Sequence, residues 1–287
     1  MKSNSEAGKV IDVFHDVEAH LFTADIIKRH STNRRDIREV ALEGLNLAEC
    51  GNILDLGCGF GFFTEALKGK VREDATIIGV DIVEDYRPLF LRACESAGVR
   101  GDFYPSGVSV ISDFDDDSVD LAICSYSLYF FPEIVSDISR VLKNDGLLIS
   151  TVHGRNNMRE LIDFAKDIMQ RCGILQPDES LPIEIFIGRC SSETGYGILS
   201  PWFRSIRSIS YNNTLVFEPG DMYVLLEYFR FKGPFFRVNP YATMEEIFDL
   251  FEITLQTFFG HRGKTFKISK DDTIFVCSKP IQGKGPL

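Results

Sequence analysis

Two carboxylates and three glycines are the residues of this 287-residue chain whose types and spacing point most directly to chemistry. Asp55 lies in the apolar run Ile53, Leu54 and Leu56, and Gly57, Gly59 and Gly61 follow at alternate positions, with Cys58 and Phe60 between them. The spacing is G-x-G-x-G; Phe62 stands where the dinucleotide pattern G-x-G-x-x-G needs glycine. Glycine removes the side chain that would keep a ligand off the backbone. The apolar run reads as a buried strand and Phe62 to Leu67 as a helix, so the turn between them offers backbone N–H groups at a helix start. A parallel strand covered on both faces is apolar, and a carboxylate in it needs a partner; the ammonium of an amino-acid-like ligand suits Asp55. Further on, Thr76-Ile77-Ile78-Gly79-Val80-Asp81 ends in a second acid, at the strand tip where such folds hold ribose hydroxyls.

One ligand with both an ammonium and a ribose is S-adenosylmethionine. DLGCGFG followed by GVD resembles motifs I and II of the class I S-adenosylmethionine-dependent methyltransferases, in particular the small-molecule, type 11-like branch. The resemblance implies that Asp55 serves the methionine ammonium through the turn or a water, and that Gly57, Cys58, Gly59 and Gly61 allow close approach. Asp81 would hold the ribose, with Ile82, Val108 and Ser125 completing the cofactor-binding set. Many relatives carry an acid for the adenine amino group just past strand three. Here that slot falls at Gly107-Val108-Ser109. The Val108 side chain accepts no hydrogen bond, so adenine would fall to backbone groups or to Asp113.

After a clear fourth strand, Val119 to Cys124, the run Ser125-Tyr126-Ser127-Leu128-Tyr129-Phe130-Phe131-Pro132 is similar to the segment that follows strand four in small-molecule methyltransferases. Ligands in open α/β sheets sit beyond the carboxyl ends of the strands, which puts this run beside the transferred methyl group. Tyr126 and Tyr129 read as pocket lining because a buried hydroxyl wants a partner. For Phe130 and Phe131, pocket and plain packing stay equally open. Strand five, Leu147 to Val152, delivers His153 to the same end. The sequence around it resembles relatives with T-x-G-x-N-H-M-x-E-L, which makes His153 a candidate catalytic or substrate-orienting group; a structural turn histidine is the alternative. His153, Tyr126 and Tyr129 form the candidate catalytic set. Methyl transfer from a sulfonium demands alignment and exclusion of water, and a base only where the acceptor is protonated.

The elements that must position these residues are those of an α/β fold. The resemblance implies a Rossmann-like, seven-stranded, mostly parallel sheet with an antiparallel last strand, N-terminal helices and a helical or loop-rich lid insertion. Residues 1–48 read as a helical cap, 49–153 as the cofactor-binding core, 154–203 as the lid insertion and 204–287 as the rest of the sheet with helical substrate-cap elements. Arg87 to Ala97 and Pro132 to Leu142 are expected helices, the latter ended by a Lys143-Asn144-Asp145-Gly146 turn. Val99 to Val110, which should hold strand three, is poorly patterned. Leu161 to Met169, Met222 to Phe231 and Met244 to Phe259 read as helices, Gly173 to Trp202 as loop-rich, Arg204 to Tyr211 as strand six and Thr273 to Ser278 as strand seven. Pro280 to Leu287 reads as a loose tail.

Composition bounds the rest. With 44% hydrophobic and 25% charged residues the chain reads as an ordinary soluble protein, and no apolar run is long enough for a membrane span or a signal core. A cytoplasmic location is expected. Seven cysteines without a C-x-x-C pair and five scattered histidines give no metal spacing. The net charge of −11 argues against nucleic acid as the main partner. The expected partner is thus a small-molecule acceptor, with no nucleic acid and no membrane; the oligomeric state stays open. The expected function is methyl transfer to an oxygen or nitrogen of a small molecule. The alternative is an inactive methyltransferase-fold module that binds cofactor or a protein. An RNA methyltransferase, the third reading, would be expected to carry a basic face or an RNA module.

Overall fold

The computed structural model describes residues 12–237, 243–260 and 264–281. Nine strands lie in these residues: β1 (Asn52–Leu56), β2 (Thr76–Asp81), β3 (Arg100–Pro105), β4 (Val119–Ser125), β5 (Leu142–His153), β6 (Phe203–Tyr211), β7 (Thr214–Phe217), β8 (Phe266–Ser269) and β9 (Asp272–Pro280). The chain divides into two compact units. One comprises Met1–Arg34, Asn156–Ile187 and Asn212–Asp271; the other comprises Arg35–Arg155, Gly188–Tyr211 and Asp272–Leu287.

The second unit holds the seven-stranded sheet, in the order β3-β2-β1-β4-β5-β9-β6. β1, β2, β3, β4 and β5 pair in parallel, and β9 runs antiparallel to both β5 and β6. The central strands are apolar because both faces are covered: Ile53, Leu54, Leu121, Ile123, Leu148, Ile149, Ile274 and Phe275 are all buried. The expected mostly parallel sheet with an antiparallel last strand is therefore the fold. The strand order reverses between β1 and β4, which makes the carboxyl ends of these strands the ligand crevice of the sheet.

Local chemistry explains where elements differ from expectation. β3 is an edge strand with only Phe103 buried along it, so it carries little apolar pattern. Lys143 to Gly146 does not stand outside strand five. The strand extends from Leu142 and its register against β4 shifts between Val119 and Leu121, which places these residues in an irregularity at the strand's start. The helix expected over Phe62 to Leu67 is only a short 3-10 turn, Thr64–Leu67. The loop-rich stretch after Gly173 contains two short helices, Pro182–Arg189 and Gly195–Leu199.

The first unit is built on helices Val17–His30, Arg159–Arg171, Met222–Lys232 and Met244–Gly260 with the small antiparallel sheet β7-β8. Phenylalanine packs it: Phe229 stacks on Phe251 at 3.7 Å between centroids, and Phe164 meets Phe251, Phe258 and Phe266 edge-on. Among the described residues, no helix is long and apolar enough to cross a membrane. Most of the tail expected to be loose lies outside the described residues.

Candidate functional site

The site is assembled at the carboxyl ends of β1, β2, β4 and β5, within the sheet-bearing unit. β1 ends at Leu56, and the chain turns through Gly57, Gly59 and Gly61 with φ of +73°, +49° and +82°. This left-handed backbone favours glycine at all three positions. The space above each glycine differs, however. A Cβ on Gly57 would stand 2.5 Å from Cβ of Ser127, and one on Gly61 would stand 2.5 Å from Cβ of Ala93. Those two glycines serve packing inside the chain. Only Gly59 of the three has no atom within 4 Å of its would-be Cβ, so it leaves open the approach that a ligand needs.

The N–H cradle expected at a helix start is not present in that form. Gly57 and Cys58 donate to the Val80 carbonyl at 2.8 and 3.2 Å, Gly61 donates to Cys58 at 2.9 Å, and Gly59 donates to Asp81 Oδ2 at 2.9 Å. Gly57, Cys58 and Gly59 thereby fasten the turn to the tip of β2, and Gly61 closes the turn on itself. The Cys58 side chain is buried toward β2, where its Sγ is 2.8 Å from the would-be Cβ of Gly79, so only its backbone borders the crevice.

Asp55 is 2% exposed, and its Oδ2 accepts from the Thr64 hydroxyl at 3.0 Å. Burial pushes its carboxyl up to about 7; the Thr64 hydrogen bond opposes this and the nearby Asp81 charge adds to it. A buried carboxylate held this close to neutrality is stabilised by any cation brought near it. Asp81 also accepts from Val83 N at 3.0 Å, so its carboxylate shapes the bend after β2, and Ile82 beside it is 48% exposed. Ser125, the last residue of β4, has a buried hydroxyl with no hydrogen-bond partner. An open glycine, a buried acid with a raised pKa and an orphaned hydroxyl fit a ligand with polar groups and a cationic end.

Val108 opens the short 3-10 segment Val108–Asp113 and is half-buried. Asp113 is exposed at the far end of that segment. It lines a cavity of about 460 Å³ together with Asn52 and Thr76, the first residues of β1 and β2. That is the opposite end of the strands from Gly57 and Asp81, which takes Asp113 away from the crevice where an adenine contact was expected of it.

Beyond β4 and β5 the three candidate catalytic residues come together. Tyr126 and Tyr129 lie against the His153 ring, with centroids 4.9 and 5.6 Å away and planes within 30°. Tyr126 takes φ +57°, an uncommon conformation for a bulky residue, and its N–H donates to Thr151 O at 2.9 Å. The ring of Phe62 stands 6.5 Å from that of Tyr126, and Ser127 Oγ donates to Leu56 O at 2.6 Å, which ties this aromatic group to the glycine turn. A residue not singled out in the sequence joins them. Asp272, at the start of β9 and 4% exposed, has Oδ1 2.7 Å from His153 Nδ1, and its Oδ2 accepts from the Tyr126 hydroxyl at 2.7 Å. Burial and Asp272 push the Tyr126 phenol well up, and burial does the same for Tyr129, so both stay protonated donors at neutral pH. Phe130 packs on Tyr129 at 4.6 Å.

Residues 54–150 match a family model described as a methyltransferase domain. An uncharacterized methyltransferase of Schizosaccharomyces pombe is 24% identical over 160 residues, which cover 53% of this chain and 53% of that protein. An 18S rRNA (guanine(1575)-N(7))-methyltransferase of Saccharomyces cerevisiae is 34% identical over 110 residues, covering 38% of this chain and 37% of that protein. The chain thus spans about half the length of one relative and little more than a third of the other. A solved structure described as a candidate methyltransferase, from Bacillus halodurans C-125, shares the fold with TM-score 0.53 and 15% identity, over 85% of this chain and 99% of that one. The rRNA enzyme overturns the expectation of a small-molecule acceptor with nucleic acid excluded. The exclusion rested on net charge, a sum over the whole chain that does not describe any local surface, and on no basic face or RNA module being evident in the sequence.

Proposed function

We propose that this chain, whose residues 54–150 match a methyltransferase domain, is a class I S-adenosylmethionine-dependent methyltransferase that methylates an oxygen or nitrogen atom carried on RNA. The observation that carries the methyl-transfer reading is the crevice at the carboxyl ends of β1 and β2. The buried Asp55, its carboxyl raised by burial to about 7, the open Gly59 and the carboxylate of Asp81 lie there together, which supports a ligand with a cationic end and hydroxyls. The RNA reading is supported by the name of the 34% identical relative. Lys28 and Arg34, in and after the helix Val17–His30, are exposed cations suited to phosphate.

When bound, S-adenosylmethionine supplies an activated methyl group with its own leaving group. The residues of this chain have the remaining tasks. Asp55 gives the cofactor's ammonium a buried counter-charge, Gly59 admits it to the backbone, and Asp81 turns from backbone N–H groups to ribose hydroxyls. Ser125 offers its unpartnered hydroxyl, while Ile82 and Val108 flank the adenine end. Tyr126 and Tyr129 exclude water from the acceptor side and hold the His153 ring between them.

The test is calorimetric titration of S-adenosylmethionine and its demethylated product into the native chain and an Asp81→Ala variant. Tritiated methyl incorporation into total RNA, with and without nuclease, follows. Expected are saturable binding, weakened about tenfold or more in the variant, and nuclease-sensitive counts. A folded chain that binds neither ligand overturns the methyl-transfer reading. Binding without RNA counts overturns the RNA acceptor alone.

A further inference from the structure

We propose that Asp272 is a positioning residue that holds His153 in the tautomer able to take a proton from the acceptor, and that the acceptor atom is therefore an oxygen or nitrogen that carries hydrogen. This rests on the methyl-transfer reading above. It separates this chain from any relative whose acceptor is a bare ring nitrogen, which already offers its lone pair and gives up no proton.

The geometry is that of a base with an orienting group. The Asp272 carboxylate is buried, accepts the Tyr126 hydroxyl on one oxygen and lies 2.7 Å from His153 Nδ1 with the other. A phenol that stays protonated donates to a carboxylate and gives it nothing to donate onward. The short contact at Nδ1 is then satisfied by Nδ1–H pointing at Asp272 Oδ1, which leaves the lone pair of the neutral ring on Nε2. The ring is also fixed in orientation. Tyr126 and Tyr129 are stacked against it, and its own strand is registered to β9, with His153 paired to Asp272. The next segment reinforces this, because Ser192 N donates to the His153 carbonyl at 3.0 Å and Glu193 accepts from Arg155 N.

A merely structural turn histidine does not require this arrangement. Two tyrosine rings, one of them on a left-handed backbone, and a buried carboxylate all converge on one imidazole at the ligand end of the sheet. The step assigned to His153 is a proton transfer. The acceptor's O–H or N–H bond breaks, its proton passes to Nε2, and its electron pair stays on the acceptor atom, which becomes nucleophilic. The imidazolium formed is stabilised by Asp272 and later returns its proton to water.

The test reads the imidazole directly in the uniformly 15N-labelled full chain, with His153 assigned through a His153→Gln variant. The wild type is expected to show the Nδ1–H tautomer, and Asp272→Asn to lose it, while calorimetric affinity for S-adenosylmethionine stays within about twofold in both. Methyl incorporation into total RNA should fall about 100-fold in Asp272→Asn, with the rise of rate with pH displaced, and should recover in part in Asp272→Glu. An Nε2–H wild-type tautomer, or a variant rate within about twofold of wild type, overturns the proposal. The wild-type tautomer needs no variant, so misfolding of Asp272→Asn does not remove the test. A wild type that shows the expected tautomer but binds no cofactor overturns the methyl-transfer reading beneath it, and the two failures are thereby told apart.

Discussion

Asp55 carries a pH dependence that distinguishes it from the other carboxylates of the sheet. Its folded pKa of about 7 lies above the ordinary carboxylate value, because burial penalises the charged form. Between about pH 4 and 7 the native chain holds a proton at Asp55 that the unfolded chain has lost. Stability is therefore fully present below this window and declines as pH rises through it, by at most roughly 1.4 kcal/mol per pH unit. An Asp55→Asn variant lacks that slope. Urea midpoints of the two chains, without cofactor, should diverge in the variant's favour up to about pH 7 and run parallel above it; parallel curves throughout would show that Asp55 is already ionised. Cofactor binding below pH 7 should also release a proton from Asp55, visible as a buffer-dependent binding enthalpy. That Asp55 is unusual was legible in the sequence, because one acid inside an apolar strand run is anomalous over five residues. Asp272 was not legible. It lies 119 positions from His153, and only the antiparallel register of β9 brings the two together.

At the scale of elements, the helix Met222–Lys232 shows how packing can work against a charge. Its last residue, Lys232, has its ammonium 6.0, 5.2 and 5.8 Å from the ring centroids of Tyr228, Phe231 and Phe235. Burial, together with the positive charge of Lys270, pulls its pKa down to about 7, while burial and Lys232 pull His20, stacked on Phe231, down to about 3. The sign is opposite to that of Asp55. The folded value lies below the unfolded one, so the unfolded chain binds the extra proton between about pH 7 and 10, and stability rises with pH across that window. Lys232→Met keeps an unbranched apolar stem one atom shorter and removes the charge. Thermal melts should place it above wild type at pH 7, with the gap closing toward about pH 10; a variant less stable at pH 7 would mean that the ring contacts outweigh the burial penalty. The apolar spacing of this helix was readable from the sequence, as was that of Met244–Gly260. β3 and β8 were not readable: one is an edge strand with a single buried residue, and the other is four residues long. Neither is long or alternating enough to mark itself.

For the whole molecule, the stretch that carries the recognisable motifs does not contain all that its sheet requires. The family match ends at residue 150, within β5. One edge of β5 is covered by β9, and β9 in turn by β6. Leu148, Ile149, Ser150, Thr151 and Val152 of β5 are at most 1% exposed, and Ile274, Phe275 and Cys277 of β9 likewise. A fragment of residues 35–155 would present β5 as an open, apolar edge, a template for pairing with other chains. It is expected to aggregate and to bind no cofactor, although it contains every cofactor-binding residue proposed above. The missing strands return through a connection that geometry makes easy to shorten. Tyr211 ends β6, Asp272 begins β9, and the two are register partners. A two-residue Asn-Gly turn can replace everything between them. A chain of 35–155, 188–211 and 272–281, with this turn and a short Gly/Ser link from 155 to 188, restores all seven strands and the His153–Asp272 pair. It should give a cooperative melt and saturable binding of S-adenosylmethionine by calorimetry, with loss of methyl transfer to RNA if the first unit carries the acceptor contacts. If the 35–155 fragment proves monomeric and binds cofactor, β6 and β9 are dispensable. If the rebuilt seven-stranded chain fails to melt cooperatively, the sheet depends on the first unit for its stability.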